Sequence, residues 1–233
     1  MKYKNYVFDL YGTLVDIHTD EEKTEVWEQL AAFFAEQGAV YEPEELQKSY
    51  ETFVKEEQKK YDEILVERIF ERMYTQKSVV VDTAQIQKTC RYFRKTTTEY
   101  IRLYPWSKKM LAKLKENGKK VYLLSNAQRC FTEPEIRELG IEPYFDHIFI
   151  SSDHGVKKPN PAFFQVLLEQ YQLEPKECLM VGNDEVCDML GAKHVGMDTF
   201  YIHSNISPEY TGKAQPTYEV FEDEKQDEEI ELP

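Results

Sequence analysis

The sequence predicts an α/β fold, a parallel sheet core into which an all-helical domain is inserted. Two observations predict it. From Tyr100 onward, short apolar runs alternate with amphipathic ones, the pattern of buried parallel strands covered by helices. Between Asp20 and about Thr97 only helical periodicity is present, directly after a first strand pattern at Tyr6 to Phe8. The expected division is a core of residues 1–16 and 98–233 and a helical domain of residues 17–97.

The elements follow in order. The strand at Tyr6 to Phe8 ends abruptly in a polar turn. In the insert, Val26, Leu30, Phe33 and Phe34 share a face, as do Leu65, Ile69 and Met73 with Val66 and Phe70, and then Ile86, Cys90 and Phe93. No strand is expected among them. Ser107 is placed to cap a helix carrying Met110, Leu111 and Leu114 that stops at Gly118. VYLLSN, HIFISS, CLMVGND and TFYIH read as strands. Thr132 and Glu135 have capping-box spacing, and Asn160 with Pro161 forms a cap and first turn before Phe163, Phe164, Val166 and Leu167.

Composition excludes several roles. The chain has 233 residues, 41% of them hydrophobic, enough for a sizeable core and a smaller second unit. A formal charge of -14 opposes contact with nucleic acid or an anionic membrane surface. A small anionic substrate would need a local cation against that field. No apolar run approaches the ~18 residues of a membrane span, and MKYKNYVF is too polar for a signal peptide, so a cytoplasmic protein is expected. Cys90, Cys130, Cys178 and Cys187 lack zinc-site spacing and read as buried free thiols. The acidic stretch Glu219 to Glu231 reads as a solvated terminal segment.

In an open parallel sheet, ligands bind beyond the carboxyl ends of the strands. The polar residues there are Asp9 with Thr13, Ser125 with Asn126, Lys158, and Asp184 with Asp188. They comprise a nucleophile candidate, hydrogen-bond donors, a cation and two carboxylates at i and i+4. Bringing those carboxylates near Asp9 would be costly without a cation to join them, which implies a hard ion such as Mg2+. The alternative for Asp184 is a helix-terminal acid favoured by the dipole.

This arrangement resembles the haloacid dehalogenase (HAD) superfamily: DLYGTLVD, LLSNAQ, GVKKPNPAFF and VGNDEVCDMLGAKHVGM stand in that family's order and spacing. The resemblance implies a Rossmann-like HAD core with a C1 cap and a nucleophilic Asp9 that forms an aspartyl ester or phosphate. It also implies a cradle in which the Gly12 and Thr13 turn, Ser125 and Asn126 donate and Lys158 balances charge. Mg2+ would be held by Asp9, the Tyr11 carbonyl, Asp184 and Asp188, with Asn183 as an outer neighbour. The substrate would be a small anion.

Tyr11 is the departure. Phosphatases of the family carry a second Asp there, whose side chain handles the leaving-group proton. A phenol with pKa near ~10 is a poor general base, so turnover of phosphate monoesters with poor leaving groups should be slower. The family's 2-haloacid dehalogenases carry Tyr at this place, use no metal, and grip the substrate carboxylate with a cap arginine, for which Arg68 and Arg72 are candidates. Tyr11 thus points to dehalogenation and Asp184 to a Mg2+ phosphohydrolase, with a catalytically weak phosphate-binding sensor as a third reading. The insert is expected to act as a lid hinged at Asp16 to Asp20 and about Thr96 to Glu99, with His18 a candidate to face the cleft.

Overall fold

Four consecutive buried residues, Asn5–Phe8, form the centre of the sheet in the computed structural model, which describes residues 1–221 and 230–233. In chain order the elements are β1 (Asn5–Phe8), β2 (Val15–Thr19), α1 (Thr24–Glu36), α2 (Pro43–Gln58), α3 (Val66–Gln76), α4 (Thr83–Thr97), β3 (Thr98–Leu103), α5 (Ser107–Glu116), β4 (Lys120–Ser125), α6 (Arg129–Glu138), β5 (His147–Ile150), α7 (Ser151–His154), α8 (Pro161–Gln170) and β6 (Cys178–Gly182). A π-helical turn (Glu185–Leu190) then runs into α9 (Gly191–His194), followed by β7 (Asp198–Ile202) and β8 (Tyr218–Val220). Among the described residues the main sheet has six strands in the order β5-β4-β1-β6-β7-β8. All its pairings are parallel.

Strand alternation divides the core into two layers. Tyr6, Phe8, Leu123 and Val181 face Met110, Leu111 and Leu114 of α5. Val7, Tyr122, Leu124 and Met180 face Phe163, Phe164 and Leu167 of α8. The register pairs Phe8 with Leu123 and with Val181, so Asp9, Ser125 and Gly182 emerge at one edge of the sheet. That edge carries the candidate site residues Asp9 and Ser125.

Helices α1–α4 form the insert, and the expected apolar stripes meet in their own core, where Phe34 stacks on Tyr74 with ring centroids 4.6 Å apart. The two segments expected to be hinges pair as an antiparallel ribbon of β2 and β3, held by Asp16 Oδ2 and Arg102 Nη2 at 2.7 Å. Strand β3 has weak apolar alternation because it is half exposed, which hid it from a reading based on buried runs.

Three local expectations are corrected. Ser107 is the first residue of α5 rather than its cap, and its hydroxyl donates to the Leu14 carbonyl at 2.7 Å. Thr132 and Glu135 lie inside α6, which begins at Arg129, and their side chains turn toward Tyr11 instead of capping. Of the acidic stretch, residues 222–229 lie outside the described residues, but its ends are structural. Glu219 is in β8, and Ile230 is buried in the core. By contrast, Asn160 caps α8 as expected by accepting from the Ala162 N–H at 3.1 Å, and Gly118 follows α5 with φ +68°.

Candidate active site

Asp9 begins where β1 ends, and its N–H still donates to the Val181 carbonyl at 2.9 Å, so the sheet ladder fixes its backbone. Its Oδ1 accepts from Lys158 Nζ at 2.8 Å and its Oδ2 from the Thr13 hydroxyl at 3.3 Å. The chain turns back at Gly12, where φ is +87° and a Cβ would lie 2.0 Å from Asn183 Nδ2. Only glycine satisfies both conditions.

Lys158 is 2% exposed, and the same Nζ lies 2.6 Å from Asp188 Oδ1. Burial alone would push its pKa down; the charges of Asp188 and Asp9 outweigh that and hold it above the ordinary value. The ammonium therefore stays charged between two carboxylates. Its backbone is clamped by Asn126, whose Oδ1 accepts from the Lys158 N–H at 2.8 Å and whose Nδ2 donates to the Lys158 carbonyl at 2.9 Å. One amide hydrogen of Asn126 is left for the cavity that it lines. Ser125 presents a buried Oγ without a partner.

Asp188 uses its other oxygen to accept the N–H groups of Asn183 at 3.1 Å and Asp184 at 3.0 Å. A side chain on Gly182 would collide with that oxygen, at 2.3 Å from its Cβ, so the turn and the carboxylate require one another. Burial raises the Asp188 pKa, with Lys158 opposing and Asp9 adding to the shift. Asp184 caps the π-helical turn through Oδ1, which accepts from Val186 N at 2.8 Å and Cys187 N at 2.7 Å. The helix-acid alternative thus accounts for one of its oxygens. The Cys187 thiol lies against the same carboxylate.

The sequence called for a cation beside Asp9 and its neighbouring carboxylates, and the chain itself places one there. The cation that joins Asp9 to Asp188 is the Lys158 ammonium. Among the described residues, the carboxylate oxygens of Asp9, Asp184 and Asp188 do not converge within 4.8 Å. It is Asn183, not Asp184, that abuts Gly12 and places Oδ1 3.3 Å from the Thr13 hydroxyl.

The residues enclose a cavity of about 200 Å³, lined by Asp9, Tyr11, Asn126, Lys158 and Asp184 and rimmed by Ile206 and Pro208 from the loop after β7. Among the described residues, no side chain of α1–α4 lines it. Arg72 pairs with Glu56 and Glu57 and covers Phe53, and Arg68 lies over Tyr61, so both are engaged within the insert. His18 stacks on Tyr100 and faces Glu99 at 3.4 Å on the ribbon, and it does not line the cavity.

Tyr11 lines the cavity, but its phenol is committed elsewhere. It donates to the Glu135 carboxylate and lies 3.0 Å from the Thr132 hydroxyl. Burial and then the Glu135 charge raise its pKa, with Arg94 opposing, so it remains a protonated donor. Arg94 of α4 completes the group, with Nε 2.6 Å from Glu135 Oε1 and its guanidinium 5.4 Å from the Tyr11 ring. Sequence reasoning missed Arg94 and Glu135 as partners of Tyr11. The Thr132 and Glu135 spacing was visible, but it carried the wrong meaning.

Residues 3–196 match the haloacid dehalogenase-like hydrolase family. Glyceraldehyde 3-phosphate phosphatase of Pyrococcus abyssi is 34% identical over 109 residues, which is 47% of this chain and 46% of that one. Phosphoglycolate phosphatase of Yersinia pestis is 37% identical over 105 residues, 45% of each. These matches span about half the length of those relatives. Two solved structures share the fold across nearly the whole chain. The 2-haloacid dehalogenase from Pseudomonas syringae pv. Tomato DC3000 has a TM-score of 0.66 at 20% identity, covering 94% of both chains. The magnesium-bound HAD-hydrolase YfnB from Bacillus subtilis has a TM-score of 0.57 at 21% identity, covering 94% of this chain and 95% of that one. The family match over residues 3–196, on a fold whose first strand ends in an aspartate facing a buried lysine, identifies this chain as a haloacid dehalogenase-like hydrolase.

Proposed function

We propose that this hydrolase removes the phosphoryl group from a small phosphorylated metabolite, with Mg2+ and through an aspartyl-phosphate on Asp9. The observation that carries the reading is the charge in the cavity: Asp9, Asp184 and Asp188 face a single ammonium within about 200 Å³. An anionic substrate entering that space needs further positive charge. The donor set suits a hard cation. Asp9, the Tyr11 carbonyl and the uncapped oxygen of Asp184 would hold it, and it would offset the charge that develops on the transferring group. Asp188, with both oxygens engaged, acts by holding Lys158.

Asp9 attacks phosphorus as the bond to the leaving oxygen breaks, and water then cleaves the acyl phosphate to regenerate the carboxylate. The orphaned Ser125 hydroxyl and the free amide hydrogen of Asn126 are donors for the phosphoryl oxygens. Lys158 balances the charge. The curated relatives named as phosphatases of glyceraldehyde 3-phosphate and phosphoglycolate support a small substrate.

The test is phosphate release from an activated aryl phosphate by the purified protein, with Mg2+ and then with excess chelator, using Asp9→Asn as the blank. Mg2+-dependent release that vanishes in the variant is expected. A second reading, metal-free 2-haloacid dehalogenation, is favoured by one observation: the Tyr11 phenol, bound to Glu135, offers no carboxylate for a leaving-group proton, and a halide needs none. Halide release from a 2-haloacid in the presence of chelator, without phosphatase activity, would establish it instead.

A further inference from the structure

We propose that Glu67, Cys90 and Cys130 form a binding site for a thiophilic divalent cation, Zn2+, that ties the helical insert to the sheet domain. The three side chains come from α3, α4 and α6, and one ligand atom of each lies within 4.8 Å of the others. In a zinc site with bonds of about 2.3 Å to sulfur and about 2.0 Å to oxygen, neighbouring donors stand roughly 3.5 Å apart. Small side-chain adjustments close that difference.

The second observation is independent. Glu67 Oε2 is buried and makes no hydrogen bond of ordinary geometry, with the weakly donating Cys130 thiol beside the carboxylate, which is an energetic cost that a bound cation removes. Cys90 and Cys130 are both free thiols, 0% and 5% exposed. Two sulfurs and one carboxylate form a donor set suited to Zn2+ rather than Mg2+. On binding, the two thiols release protons to solvent as two zinc–sulfur bonds form, and the carboxylate supplies the third bond. Water takes the fourth position, reached through a cavity of about 650 Å³ that Cys130, Phe131 and Arg94 help to line.

The surroundings are already held in place. Gln128, at the start of α6, accepts from the Val66 N–H at 2.9 Å and donates to the Ile64 carbonyl at 2.9 Å, so the beginnings of α3 and α6 are clamped together beside the three ligands. Sequence spacing pointed away from zinc because the ligands come from three helices far apart in the chain. Only the packing of insert against core brings them together. The site does not depend on the chemistry at Asp9.

The experiment uses the full chain, stripped of metal and reduced. Co2+ is titrated in and thiolate-to-cobalt charge-transfer absorption is followed. One equivalent is expected to produce the band, Zn2+ to abolish it, and Cys90→Ser or Cys130→Ser to prevent it. Absence of the band, or its persistence in the Cys90→Ser/Cys130→Ser double variant, overturns the proposal. A measurement on the unaltered chain guards against misfolded variants: alkylation of each cysteine is mapped by mass spectrometry with and without Zn2+. At Zn2+ 100 times its Kd, Cys90 and Cys130 should react about 100-fold more slowly, with Cys178 and Cys187 unchanged. Equal protection of all four, or a Cys90–Cys130 disulfide that forms in air and is unaffected by added Zn2+, overturns it.

Discussion

Arg94, at the end of the insert's last helix, pairs with Glu135 of the core at 2.6 Å, and Glu135 in turn accepts from the Tyr11 phenol. The insert is thereby linked to the loop that follows Asp9. Both partners are largely buried, with side chains 20% and 11% exposed. Removing one leaves the other buried and uncompensated, at a cost of about 3 kcal/mol. Arg94→Met and Glu135→Gln should each destabilise the protein by that order, while the double variant costs far less than their sum. Urea denaturation of the three variants checks this, and additivity would show that the pair is not coupled.

Lys158 separates Asp9 from Asp188. Lys158→Met should abolish turnover and also lower stability by about 3 kcal/mol, because two buried carboxylates then face each other without a cation. Adding Asp188→Asn should recover part of the stability but none of the activity. Denaturation midpoints and product release, measured together, separate the two effects.

For Tyr11, the geometry predicts a small effect from the hydroxyl. Tyr11→Phe should cost about 1 kcal/mol of stability and change turnover only a few-fold, since Arg94 still satisfies Glu135. A loss of about 100-fold with folding intact would instead place the phenol in proton transfer. Tyr11→Asp, which places a carboxylate beside Asp9, should raise turnover of phosphate esters with poor leaving groups.

Acid sensitivity should come in part from Asp146. Burial pushes its pKa up, but the bonds from Lys115 and Lys120 and the Val121 N–H outweigh that and hold it at about 2, below the ordinary 3.8. A depressed carboxylate stabilises the fold above its unfolded pKa, and that stability is lost as pH falls from about 4 to about 2. Asp146→Asn should therefore cost about 2 kcal/mol at pH 6 and converge on the parent near pH 2. Melting curves at the two pH values test it.

The sequence by itself determined the layers and the strand ends. Val7, Leu123 and Val181 belong to short apolar runs that can be satisfied only as buried strands, and Asp9, Ser125 and Lys158 follow such runs or their loops. Gly12 and the Asn160 cap were legible for the same reason: their requirements are local, set by backbone conformation and neighbours a few residues away. The ribbon strand Thr98–Leu103 was not, because half-exposed strands lack a buried-run pattern.

Only the tertiary structure decided which charges meet. That Lys158 lies between Asp9 and Asp188, that Asn183 faces Thr13 while Asp184 caps a turn, and that Tyr11 reaches Glu135 and Arg94 all depend on side chains distant in the chain. Ion pairs need their charges brought close in space and hydrogen bonds demand fixed geometry, so spacing along the sequence does not determine their partners. The placement of Glu67 beside Cys90 and Cys130 arises in the same way, from the docking of α3 and α4 on α6.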